Sequence, residues 1–98
     1  MKINKNNLGY VYFILCENLV KIGTTKDIDK RIKQLSTGNG KEMKLIYYVF
    51  GGKGTEWGMH QRFQNDRVRG EWFNYSDDIK NWIRLDKLTR EVMSQEIN

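Results

Sequence analysis

Cysteine occurs once in the 98 residues, at Cys16, and proline does not occur at all. A single thiol cannot close an internal disulfide, and it excludes zinc held by a set of cysteines. Lying in an apolar run, Cys16 is expected to be a small buried hydrophobe. The lack of proline points by itself to no class. No stretch of about 18 apolar residues is present, so no membrane-spanning helix is expected. The opening MKINKNNLG lacks the apolar segment of a secretory leader, and the expectation is a cytoplasmic protein. Internal repeats and low-complexity segments are also missing. What is there, 39% hydrophobic and 12% aromatic residues, suits one small globular domain over residues 1–98, with 1–8 as a loose polar arm.

The net charge is +5, and its distribution says more than its size. Residues 1–50 carry nine Lys and Arg against four Asp and Glu, whereas residues 51–98 carry eight of each. A basic excess confined to one half suggests a polyanionic partner, nucleic acid first, with plain solubility as the alternative.

The stretch GYVYFILCENLVKIG, from Gly9 to Gly23, holds two runs rich in β-branched and aromatic residues around Glu17-Asn18. This predicts a β-hairpin, with Asn18 suited to a left-handed bend. With those two residues as the loop, Cys16 faces Leu19, Ile14 faces Lys21 and Tyr12 faces Gly23. Tyr10, Tyr12, Ile14, Leu19 and Lys21 then share one face. Tyr12 and Lys21 become diagonal neighbours within reach of each other, and Gly23 leaves space beside the phenol.

After the hairpin, Ile28, Ile32 and Leu35 recur at helical spacing, with Thr25 or Asp27 as cap and Gly38-Asn39-Gly40 as stop. Arg31 borders that apolar stripe and points along the sheet, or else snorkels as a surface ion pair. Residues 43–50, apolar on both faces, predict a third strand that is central or well covered. A second helix is expected from about Thr55, with Glu56, Met59, His60 and Phe63 on one face. Glu56 can be a first-turn carboxylate and His60 a hydrogen-bonded core histidine. An i, i+4 Glu/His pair can also serve a divalent cation. Asn65 to Gly70, with Arg67 and Arg69, reads as a basic turn, and Glu71-Trp72-Phe73 as a small edge strand or inserted loop. Ser76 caps a last helix whose inner face is Ile79, Trp82 and Ile83. Beyond Asp86 the period drifts, so residues 87–98 are expected to bend away or form a separate helix.

Tyr10-Val11-Tyr12, Lys21-Ile22-Gly23, Arg31 and the run from Glu56 through His60 and Phe63 to Gly70-Glu71-Trp72-Phe73 occur in an ordered series. In that order they resemble the GIY-YIG nuclease superfamily, in particular its short divergent branch in which the second motif reads KIG. The likeness covers about residues 9–83. It implies a small α/β (α+β) domain, a three-stranded antiparallel sheet flanked by helices, acting as a metal-dependent DNA endonuclease. Tyr12 would activate water, Glu56 would hold one Mg²⁺ or Mn²⁺, Arg31 and Lys21 would bind phosphate, and His60 would join the catalytic group. Lys21 and the metal would lower the Tyr12 pKa. Tyr10, Lys30, Arg67 and Arg69 are expected to meet DNA. Glu71 is a further site candidate, and Asn74 is the candidate for the asparagine that closes the family pattern. The other classes left open are a DNA-binding accessory module and a protein-interaction domain, with a homodimer or a separate partner supplying specificity.

Overall fold

The computed structural model of the protein describes residues 9–36 and 40–97. The residues expected to form a loose arm, 1–8, lie outside these, as do Gly38 and Asn39 of the proposed helix stop. Strands β1 (Tyr10–Cys16) and β2 (Leu19–Thr25) form the expected hairpin, with Tyr12 opposite Gly23, Ile14 opposite Lys21 and Cys16 opposite Leu19. The bend differs in one respect: Glu17, at φ 57°, takes the left-handed conformation expected of Asn18. A two-residue loop between twisted strands asks for a positive φ at its first residue.

Helix α1 (Ile28–Ser36) follows, capped by Asp27, whose Oδ1 accepts from the Lys30 amide at 3.0 Å. Next come β3 (Lys44–Phe50) and α2 (Lys53–Arg62), the latter beginning two residues before the expected Thr55. A 3₁₀ turn at Gln64–Asp66 leads to β4 (Arg67–Arg69) and β5 (Trp72–Asn74). These join through Gly70-Glu71, where Gly70 supplies the positive φ, 55°, without side-chain strain.

The sheet therefore has five strands in the order β3-β1-β2-β5-β4, not three. The segment read as a basic turn is strand β4, too short for any alternation to betray it. Glu71-Trp72-Phe73 leads into an interior strand, since β5 lies between β2 and β4. Residues 44–50, expected to be central, form an edge strand on which Tyr48 and Phe50 are each 51% exposed.

Period-two alternation divides the sheet into two faces. One face carries Val11, Phe13, Val20, Ile22, Val49 and Phe73, buried against Phe63, Ile79 and Ile83. Helix α3 (Asp77–Ile97) supplies the last two. Its start follows expectation, with the Ile79 amide donating to Ser76 Oγ. The expected break beyond Asp86 is absent: α3 is one helix of 21 residues. Its period drifts because the helix outruns the sheet, leaving Leu85, Leu88, Val92 and Met93 largely exposed. Among the described residues no helix is long and apolar enough to cross a membrane.

Candidate functional site

The other face of the sheet carries Tyr12, Lys21, Gly23, Trp72 and Asn74 by register. Helix α1 lies against it, and Arg31 Nε donates to the Tyr12 hydroxyl at 3.2 Å. Strand β5 pairs β2 only from Leu19 to Lys21, so the remainder of β2 has no strand on that side. Two other groups satisfy its backbone there. The Ile22 amide donates to the Glu71 carbonyl at 2.9 Å, and His60 Nε2 donates to the Ile22 carbonyl at 2.8 Å. A strand end left unpaired thus becomes a cleft that one backbone carbonyl and one side chain close.

Glu56 enters this cleft from the first turn of α2 and is 6% exposed. It accepts from the Thr24 hydroxyl at 3.3 Å, with Lys53 Nζ 3.4 Å and His60 Nε2 3.7 Å away. Glu71 enters from the β4–β5 turn, with Lys21 Nζ 3.7 Å from its carboxylate. The two carboxyl groups are close enough to perturb each other's ionisation. Glu71 is the more easily protonated of the two. Burial and the neighbouring Glu56 raise its pKa above the usual carboxylate value. Burial also pushes Glu56 upward, but the Glu71 hydrogen bond together with Lys53 and His60 outweighs it and leaves the group lowered.

Gly23 explains why the cleft closes so tightly. A Cβ there would stand 2.5 Å from the Tyr12 hydroxyl and 3.1 Å from Glu71 Oε1. The space left by the missing side chain is filled by the phenol tip and the carboxylate together. Tyr12 is 1% exposed. Burial raises its pKa above 10, with Glu71 and Glu56 adding to the rise, and Arg31 opposes the shift. The cation expected to lower this pKa was Lys21, but Lys21 pairs with Glu71 and lies 5.5 Å above the Trp72 ring, and Arg31 takes its place at the hydroxyl.

The structure thus brings Tyr12, Lys21, Arg31, Glu56, His60 and Glu71 to one cleft. Five other expected residues stand away from it. Tyr10 packs edge-on against Tyr48 and Phe50 at the β3 side. Lys30 is an exposed residue of α1. Arg67 donates to the Gly70 carbonyl at 2.9 Å and so braces the β4–β5 turn, while Arg69 lines a depression with Cys16, Leu19 and Trp72. Asn74 sits exposed at the end of β5. Residue reasoning missed Thr24 and Lys53. Lys53 stands three residues before Glu56, a spacing that would have paired them had the helix start been placed before Thr55.

Among the described residues no three His, Cys, Asp or Glu side chains converge as a metal-binding group. The available donors are hard carboxylate oxygens, and the one nitrogen nearby, His60 Nε2, is engaged with a carbonyl.

The fold and the cleft define a small α+β domain with two carboxylates, Glu56 and Glu71, beside a tyrosine held by arginine. The T5orf172 domain profile matches residues 9–89, and the chain belongs to that family, a GIY-YIG-like, nuclease-associated group. No curated protein and no solved structure compared with the chain matches it.

Proposed function

We propose that the cleft hydrolyses DNA phosphodiester bonds with the help of one divalent cation, and that Lys21-Ile22-Gly23 stands in the place of the YIG motif. The observation that carries this reading is that Tyr12, with Arg31 on its hydroxyl, meets Glu71 at Gly23 while Glu56 accepts from the adjacent Thr24, in a chain of a nuclease-associated family. Mg²⁺ or Mn²⁺ fits the oxygen donors of Glu56 and Glu71, since such ions accept one or two carboxylates and keep much of their water. Bound there, the ion would offset charge growing on the phosphoryl oxygens.

The chain's own residues supply the rest. Tyr12 acts as the phenolate, which the adjacent Arg31 guanidinium stabilises; it takes a proton from the attacking water and becomes the neutral phenol, while Arg31 remains close to the phosphate. Lys21 and Lys53, each in contact with a carboxylate, are the cations that turn to the phosphate once the carboxylates have another positive partner. His60 pins the β2 backbone and thereby places Glu56 within the cleft.

The test is nicking of supercoiled plasmid by the purified protein with Mg²⁺ or Mn²⁺. Nicking by the wild type, lost on adding EDTA and reduced about 10²–10⁴-fold in Tyr12→Phe with its circular dichroism unchanged, supports the reading. Undiminished nicking by Tyr12→Phe contradicts it.

A further inference from the structure

Burial leaves the aromatic residues of β3 unexplained. Tyr48 and Phe50 are half exposed, yet both belong to the face that carries the cleft, with Tyr48 directly opposite Tyr12 and Phe50 opposite Tyr10. Tyr10 meets the two rings edge to face, with centroids 5.6 and 5.7 Å distant. Tyr10 thereby braces both outer rings, and about half the surface of each stays open to solvent. The result is a rigid aromatic cluster beginning one residue pair from the tyrosine of the cleft.

Basic side chains adjoin it. Lys26 shares a depression with Tyr10 and Tyr48, and Lys30 follows one turn later on the helix that sends Arg31 to Tyr12. Asp27 and Asp29 border the same depression. The Asp27 carboxylate is engaged at the helix cap, accepting from the Lys30 amide.

We propose that Tyr10, Tyr48 and Phe50 form a stacking platform for unpaired nucleobases of the strand that is cut at Tyr12. The inference rests on the phosphodiesterase reading and narrows its substrate to DNA with single-stranded or extruded bases. Every base offers a π-face, so stacking on exposed rings, with the Lys26 and Lys30 ammonium groups near for the phosphates, binds a single strand with little regard to sequence. A closed duplex keeps those faces inside and gains nothing from the platform. A second copy of the chain is the less fitting occupant. The rings stand on the face and not along the outer rim of β3, so strand-to-strand pairing at that rim would leave them uncovered.

The experiment measures fluorescence anisotropy of a labelled oligothymidine and of a duplex of equal length, in EDTA so that neither is cut. Tyr48→Ala/Phe50→Ala is expected to weaken single-strand binding about tenfold or more per ring removed and to leave duplex binding within about twofold. Tyr48→Trp/Phe50→Trp restores stacking surface and is expected to bind the single strand as the wild type does. Unchanged single-strand binding in the alanine variant overturns the proposal. So does equal weakening for both DNAs, or conversion of a wild-type dimer to monomer with single-strand affinity intact. Plasmid nicking measured on the same preparations separates the two readings. A wild type that binds the single strand through these rings but never nicks refutes the catalytic reading and leaves the platform standing. Nicking without ring-dependent binding does the reverse.

Discussion

The two faces of the sheet are built from the same five strands in opposite ways. One face is mainly apolar, from Val11 and Phe13 on β1 to Phe73 on β5, and α3 seals it with Ile79 and Ile83. The other alternates tyrosine, lysine and glycine along the central hairpin, and its deepest side chain, Tyr12, has its hydroxyl against Arg31. Both faces are densely occupied, but one is held by area removed from water and the other by directed contacts between groups that titrate. The lesson is that β1 does two jobs at once: its odd-numbered residues hold the fold together and its even-numbered residues bring Tyr12 to the cleft. Variants on the two faces should accordingly separate stability from activity.

The largest effect is expected on the apolar face. Phe73→Ala removes a fully buried ring and should cost about 3–5 kcal/mol, measured by urea denaturation, a large share of the stability of a domain this size. A loss under about 1 kcal/mol would mean that the face is less tightly packed than described.

Gly23→Ala tests the other face. The new methyl must displace the Tyr12 hydroxyl or the Glu71 carboxylate, and a shift of about 1 Å in a reacting group lowers rates by roughly 10²-fold. Nicking is expected to fall by that order while the far-ultraviolet circular dichroism stays native.

A smaller effect joins α3 to the third strand. The Tyr47 hydroxyl bonds Asp86, which also accepts from Arg90. Burial and that carboxylate raise the Tyr47 pKa to about 12. A phenol whose pKa is raised on folding adds stability that is fully present below pH about 10. That contribution is lost as the pH climbs through about 12. Tyr47→Phe should therefore be less stable than the wild type near neutrality, with the gap in denaturation midpoint closing between those values.

The smallest effect concerns the hairpin bend. Glu17 holds a positive φ that glycine adopts freely, and Glu17→Gly should stabilise the chain by about 1 kcal/mol or less. Calorimetry that shows a lowered melting temperature would assign the Glu17–Lys41 ion pair, 3.7 Å in length, more weight than exposed pairs usually carry.

The hairpin was legible in the sequence because two long alternating runs with a two-residue gap allow one register. The inner face of α3 at Ile79, Trp82 and Ile83 was legible for the same kind of reason, a period repeated beside a clear cap. Strand β4 escaped because three residues carry no period. The place of β3 escaped because a run apolar on both faces predicts a central or covered strand, whereas Tyr48 and Phe50 lie open on an edge. Of the cleft, Tyr12, Arg31 and Glu56 could be read from spacing and likeness. That Arg31 and not Lys21 meets the Tyr12 hydroxyl could not, because it depends on Glu71 arriving through a strand pairing that nothing local announces.

The central claim is that Glu56 makes this cleft a metal-dependent nuclease site, and supercoiled plasmid nicking by Glu56→Ala in Mg²⁺ tests it most directly. The account predicts nicking by the wild type and none above background by the variant, with both proteins folded. Nicking that persists in folded Glu56→Ala would contradict it.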